Sequence, residues 1–170
     1  MKLYIAMGTY EFLKKLKDAH PEQILLFLQN DNTCLLLHET EGNSLFKSPL
    51  KYEVMDGRGN LTFKQGTAVL HYVPVTDEGR PIFEYRFKAF SNQMERVPGF
   101  ETARVLRPQT SDTYVILTLW KKAADFKRWQ TSDIFNEMFS TNITKTKHDK
   151  KLPQIFPRPG YITIYSIEKE

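Results

Sequence analysis

Hydrophobic residues in the second half of the chain recur first with the period of a strand and then with that of a helix. Phe83, Phe87, Phe90, Met94 and Val97 follow one another at steps of four and three, which predicts one apolar helix face about four turns long. Apolar or alternating runs on both sides predict strands. The predicted strands are Thr67 to Val75, Phe100 to Arg107, Thr113 to Trp120 and Tyr161 to Ile167; a second helix is predicted over Ala123 to Gln130, with a further helical turn or two over Ser132 to Phe139.

The first half begins with the same kinds of element. Lys2 to Met7 predicts a strand, and Thr9 is a plausible N-cap for the helix that follows it. Gln23 to Leu28 and Thr33 to His38 are apolar runs joined by a polar turn, as in a hairpin. Leu45 to Met55 predicts a more mixed strand or loop, and the turn-rich segment Asp56 to Asn60 marks the best boundary in the chain.

The order strand–helix–strand–strand–helix–strand predicts an α+β, ferredoxin-like fold of the dimeric α/β-barrel type. A sheet with helices on one face needs cover on its other face. The N-terminal half can supply that cover from within the chain. We therefore predict two fused ferredoxin-like halves that form an intramolecular pseudo-dimer, monomeric in solution: an N-terminal partial unit over residues 1–60 and a complete domain over residues 66–170.

Composition narrows the function classes. The net charge of +4 comes from Lys and Arg residues interleaved with Asp and Glu, which does not indicate nucleic-acid binding. Cys34 is the single cysteine, so no internal disulfide is possible. Neither a secretory leader nor a membrane span is recognisable, and we expect a cytoplasmic protein. Glycine-rich phosphate and dinucleotide motifs are absent, so no flavin or nicotinamide site is expected.

Three short motifs carry a family resemblance. Pro98-Gly99-Phe100, Thr118-Leu119-Trp120 and the run Phe126 to Asp133 resemble the antibiotic-biosynthesis-monooxygenase superfamily, over roughly residues 67 to 167. Within it, the chain is most similar to the cofactor-independent heme-degrading monooxygenases. Its whole length, including Gly8-Thr9-Tyr10 and Arg107-Pro108, resembles the two-part HmoB-type heme monooxygenases and the TRAP signal-transduction proteins.

The resemblance implies a specific chemistry. In the short heme-degrading members, an asparagine hydrogen-bonds on the distal side, a tryptophan forces the porphyrin out of plane, and a histidine ligates the iron. Heme is then both substrate and cofactor, an external reductant supplies electrons, and the products are a linear tetrapyrrole and iron.

Carried onto this chain, the resemblance keeps one of those three side chains. The tryptophan is Trp129, the asparagine position falls at His71, and the histidine position falls at Phe139. A phenylalanine cannot ligate iron. His71, or else His148 in the Lys-rich segment near the C-terminus, is then the candidate heme-iron ligand, and His71, Trp129, Phe139 and His148 are the candidate heme-binding positions.

Each of these residues also has a simpler interpretation. Trp129 is as well explained as a core anchor, His71 as a structural histidine and His148 as a solvated loop residue. Trp120 is interpreted as core. Arg104 and Arg107 could reach heme propionates, although surface ion pairing is favoured.

Three functions therefore remain open. The leading hypothesis is a heme-degrading monooxygenase. A non-catalytic, TRAP-like stress or signalling module is the alternative. A heme-free monooxygenase acting on an aromatic polyketide-like substrate ranks below both.

Overall fold

A computed structural model of the chain describes residues 1–139 and 155–167. In this part of the chain, eight antiparallel strands close into a barrel, and the helices pack on its outside. The elements are β1 Lys2–Gly8, α1 Tyr10–Ala19, β2 Ile24–Gln29, β3 Cys34–Thr40, β4 Leu50–Arg58, β5 Gly66–Pro74, α2 Arg80–Phe87, α3 Phe90–Met94, β6 Phe100–Pro108, β7 Thr113–Trp120, α4 Ala123–Gln130, α5 Asp133–Phe139 and β8 Tyr161–Ile167.

The strand order around the barrel divides into two similar stretches. The first four strands lie in the order β4-β1-β3-β2, and the next four lie in the order β8-β5-β7-β6. In each stretch, the fourth strand of the set lies beside the first, followed by the third and the second. Pairing of β2 with β8 and of β4 with β6 joins the two stretches, so the sheet has no free edge.

Strand alternation separates two apolar cores. Side chains of one parity on β5, such as Ala68 and Leu70, fill the barrel interior together with leucines and Tyr52 of the first half. Side chains of the other parity, Val69 and Val73, face outward into the layer formed by α2, α3, α4 and α5. His71 has the parity of Val69 and Val73, and it therefore faces the helices.

The predicted four-turn helix is two helices in the structure. The apolar face is as predicted, since Phe83, Phe87, Phe90 and Met94 are all fully buried. The single helix is wrong, because Ala89 leaves helical geometry (φ −124°, ψ 30°). A second helix then begins at Phe90, where the Ser91 amide donates to the Asp56 carboxylate of β4 at 2.8 Å. An anion at a helix N-terminus stabilises it, which explains the new start.

The turn after β4 begins later than the sequence predicted. Strand β4 continues through Gly57 to Arg58 and pairs with β6, and the turn comes only at Gly59. Gly59 has a φ of 77°, a conformation that favours glycine.

A buried ion pair links the two stretches of strands. Arg104 of β6 donates to both carboxylate oxygens of Glu39 on β3, at 2.6 and 3.2 Å. Its remaining contacts are with the carbonyls of Arg58, Gly59 and Ala103. Both side chains are more than nine-tenths buried, so the predicted surface ion pairing is wrong for Arg104. The partner lies 65 residues away in sequence, beyond the reach of local patterns.

None of the helices among the described residues is long and apolar enough to cross a membrane.

We expect Arg104→Met to destabilise the fold by about 3–5 kcal/mol, because it leaves the Glu39 carboxylate buried without a counter-charge. The double variant Glu39→Met/Arg104→Met should recover most of that loss. Arg158→Met is the matched control, since its ion pair with Asp112 is exposed to solvent and should contribute little to stability. Urea unfolding of the four proteins measures these differences, and a double variant as unstable as Arg104→Met would contradict the account.

Candidate functional site

Helix α4 places Trp129 against the sheet. Phe126 and Trp129 are three residues apart, so both side chains lie on the buried face of the helix. Asp125 in the first turn and Arg128 in the last turn have the charges that a helix dipole favours at those ends. The helix bounds are those predicted from the sequence.

Trp129 lies within a cluster of aromatic rings. Its ring centroid is 5.0 Å from that of Phe135, 5.6 Å from that of Trp120 and 6.0 Å from that of Phe139. Only 5% of the residue is exposed. The indole therefore has a packing role, whatever else it does.

The two tryptophans differ in their polar atoms. Trp120 is fully buried, as predicted, and its Nε1–H donates to the Thr118 hydroxyl at 2.8 Å. The buried Nε1–H of Trp129 has no acceptor among the described residues. Buried donors are normally hydrogen-bonded, so this unpaired N–H is a candidate contact for a ligand or a water molecule.

His71 is covered by α5. Its imidazole stacks on the Phe139 ring, with centroids 4.3 Å apart and planes 23° apart, and Phe135 lies next to it at 6.0 Å. Burial lowers the pKa of His71 to about 4. The imidazole is therefore neutral at pH 7, the form that can ligate a metal.

The space beside His71 is small. A cavity of about 20 Å³ is lined by His71, Val73, Phe83, Phe139 and Gly160, together with Met138 and Phe156. That volume accommodates about one water molecule. Porphyrin does not fit between His71 and Phe139 in this conformation.

The structure thus brings together three of the four candidate positions. Trp129, His71 and Phe139 share one aromatic cluster, while His148 lies outside the described residues. No group of three or more His, Cys, Asp or Glu residues in the described part of the chain could hold a metal ion.

Arg107 forms ion pairs with Glu84 at 2.5 Å and with Glu53 at 3.3 Å. Ion pairing is the role that the sequence analysis favoured for this arginine.

Two residues near this site were not predicted from the sequence. Phe135 lies four positions before Phe139, and that helical spacing is the signal that could have identified it. Arg86 lies in α2 with its Nη1 atom buried and without an acceptor among the described residues. In the sequence, Arg86 directly precedes the apolar Phe87, and no pattern around it predicts that its guanidinium is buried.

Comparison with known proteins identifies the class first. Residues 67–140 match the family model for antibiotic biosynthesis monooxygenase. The structure resembles that of a major regulator of staphylococcal pathogenesis over 100% of this chain and 99% of that chain, with a TM-score of 0.82 and 25% identity. Residues 67–140 thus form an antibiotic-biosynthesis-monooxygenase domain match within a fold that this regulator shares over its whole length.

Sequence relatives identify the family more closely. The chain is 31% identical over 140 residues to Signal transduction protein TRAP of Staphylococcus epidermidis, covering 82% of this chain and 83% of that protein. It belongs to this TRAP family of antibiotic-biosynthesis-monooxygenase-type proteins. A heme-degrading monooxygenase of Listeria monocytogenes is 26% identical over 144 residues, covering 85% of this chain and 84% of that protein. The structure of LmHde, a heme-degrading enzyme from the same species, shares the fold at a TM-score of 0.75 and 23% identity, over 98% of this chain and 99% of that chain.

The lowered pKa of His71 makes stability depend on pH. An unfolded histidine titrates near 6.5 and the folded residue at about 4, so the unfolded chain binds more protons between these values. Stability should therefore fall as the pH drops from about 6.5 to 4, by roughly 2–3 kcal/mol from this residue. Urea unfolding at several pH values should show a shallower slope for His71→Leu, with a residual slope from His38, whose pKa is also lowered by burial. Equal slopes in the two proteins would contradict a partly buried His71 that is neutral in the folded protein.

The unequal hydrogen bonding of the tryptophans predicts unequal costs of substitution. Trp120→Phe leaves the buried Thr118 hydroxyl without its partner, whereas Trp129→Phe removes an N–H that has no acceptor in the described part of the chain. We expect Trp120→Phe to be the more destabilising by about 1–3 kcal/mol in thermal or urea unfolding. A larger cost for Trp129→Phe would show that its N–H is paired in solution.

Proposed function

We propose that this protein is a non-catalytic, TRAP-like stress or signalling module, in which the cavity used by heme-degrading relatives is closed. The observation that carries the proposal is the stacking of Phe139 on His71, with centroids 4.3 Å apart and about 20 Å³ left beside them. The 31% identity with Signal transduction protein TRAP supports the same assignment.

Opening this site for heme would be unfavourable in two ways. The Phe139 ring also packs on Phe87, Phe90 and Trp129, so moving it aside would expose apolar surface that these contacts now cover. In addition, a phenylalanine at position 139 offers iron no bond. The bond to iron that would orient a bound heme therefore cannot form on the side of the site that faces α5.

Heme degradation is the second candidate function. It is favoured by Trp129, with its unpaired N–H, by the neutral imidazole of His71, and by the 26% identity with a heme-degrading monooxygenase. In this case the Phe139 side chain would move aside, His71 or His148 would ligate the iron, and an external reductant would be needed. His71 and Trp129 would then be the catalytic residues.

We infer that the chain is an internal pseudo-dimer and a monomer in solution. The support is the repeated strand order of the two stretches, fourth–first–third–second in each. An N-terminal partial unit over residues 1–60 and a complete domain over residues 66–170 would each supply one side of the barrel. The buried pair of Arg104 and Glu39 would join them. We further infer a cytoplasmic protein.

Replacement of Phe139 tests the proposal. The parent protein should give no saturable Soret shift on titration with hemin, because the site is closed and lacks the ligand. Phe139→His restores an imidazole at the family's position, and it should bind hemin at least about tenfold more tightly than the parent. Phe139→Leu is the control that loosens the packing without adding a ligand, and it should resemble the parent.

A saturable Soret shift in the parent would contradict the closed site. Titration of His71→Ala and His148→Ala would then identify the ligand, since loss of the shift in only one of them assigns the iron to that histidine. Equal spectra in both variants and the parent would exclude both assignments.

A further inference from the structure

A groove separates the two pairs of helices on the outside of the barrel. Two adjoining cavities, of about 570 and 310 Å³, share the lining residues Gln93 and Ile134. One extends to Arg86 and Met138, and the other extends to Val97 and Trp129. The groove therefore runs between α2 and α3 on one side and α4 and α5 on the other. It is much larger than the 20 Å³ cavity beside His71.

Two residues of the groove carry buried donors that have no acceptor among the described residues. One is the Nε1–H of Trp129, in a residue that is only 5% exposed, and the other is the Nη1–H of Arg86. Burial lowers the pKa of the Arg86 guanidinium, as expected for a cation held away from water. Donors of this kind are normally satisfied, so the unpaired N–H of Arg86 points to an acceptor that binds at that end of the groove.

The charges along the groove favour an anion. Arg86, Arg96 and Arg128 line it together with the carboxylates of Asp125 and Glu137, which leaves an excess of one positive charge. Asp125 is engaged with Arg128 at 3.4 Å. Arg86 and Arg96 make no ion pair with any described residue. A guanidinium without a counter-ion is suited to binding a carboxylate in a two-pronged geometry.

The apolar side chains that line the groove favour a ligand with an aliphatic body. Ile134, Met138 and Val97 line the groove, and Ile134 is 46% exposed although it is large and apolar. An apolar chain lying along these side chains would remove their surface from water. A ligand therefore needs both an apolar body and an acidic head group.

We propose that this groove binds an amphipathic carboxylic acid with an aliphatic body, its carboxylate on Arg86 and its chain along Ile134 toward Trp129. This function is additional to the proposed signalling role and involves no chemical change in the ligand. Arg86 is the specificity residue, because it supplies the charge that selects an acid.

Isothermal titration calorimetry of the full chain with decanoate tests the proposal. Decanoate should bind saturably, and decyltrimethylammonium, which has the same chain and the opposite charge, should not. Arg86→Met keeps an unbranched side chain and removes the guanidinium charge, so it should weaken decanoate binding about tenfold or more. Trp129→Phe should weaken it less than Arg86→Met does, because the alkyl chain contacts the indole ring and offers its N–H no acceptor.

Lys121→Met is the matched control, since Lys121 is an exposed cation outside the groove, and its affinity for decanoate should equal that of the parent. Absence of decanoate binding would overturn the proposal. Equal affinity of the parent and Arg86→Met, or equal binding of the quaternary ammonium probe, would also overturn it. The Arg86 comparison remains decisive if Trp129→Phe does not fold. Hemin turnover by the parent would refute the signalling role without changing the expected effect of Arg86→Met on decanoate.

Discussion

The contact between Phe139 and His71 is the constraint on which this site depends. Strand parity directs His71 outward to the helices, and α5 brings Phe139 over it at a stacking distance. With the phenylalanine in this position, the imidazole is partly buried and neutral, and the neighbouring space is reduced to about one water molecule. A histidine at the same place would present a nitrogen where this chain presents a hydrocarbon ring.

The remaining aromatic residues hold that contact in place. Phe87 and Phe90, from α2 and α3, pack on Phe139 from one side, and Trp129 packs on it from another. The helices can lie this close because the barrel beneath them is closed, with Arg104 and Glu39 linking strands from the two halves of the chain. The site is therefore closed by the same packing that stabilises the helical layer. The larger groove runs between the helices of this layer, and two buried donors along it have no acceptor among the described residues.

Local patterns predicted the elements well and the long-range contacts poorly. Strands Thr113–Trp120 and Tyr161–Ile167 and helix Ala123–Gln130 have the predicted bounds, because their periodicity and flanking turns are determined within the segment. The break at Ala89 was not predictable, since the Asp56 carboxylate that starts α3 belongs to a distant strand. The same reason explains the incorrect prediction for Arg104. Family resemblance identified Trp129, His71 and Phe139 as neighbours, whereas their stacking and the buried donor of Arg86 required the fold.

The most direct test of the central claim is whether the unaltered protein consumes heme. Hemin is mixed with the protein and ascorbate in air, with catalase present to remove free peroxide, and the absorption spectrum and iron release are followed. We predict a heme spectrum that does not change with time beyond that of a protein-free control, and no released iron. Decay of a protein-bound Soret band with stoichiometric release of iron would contradict the account and establish a heme-degrading enzyme.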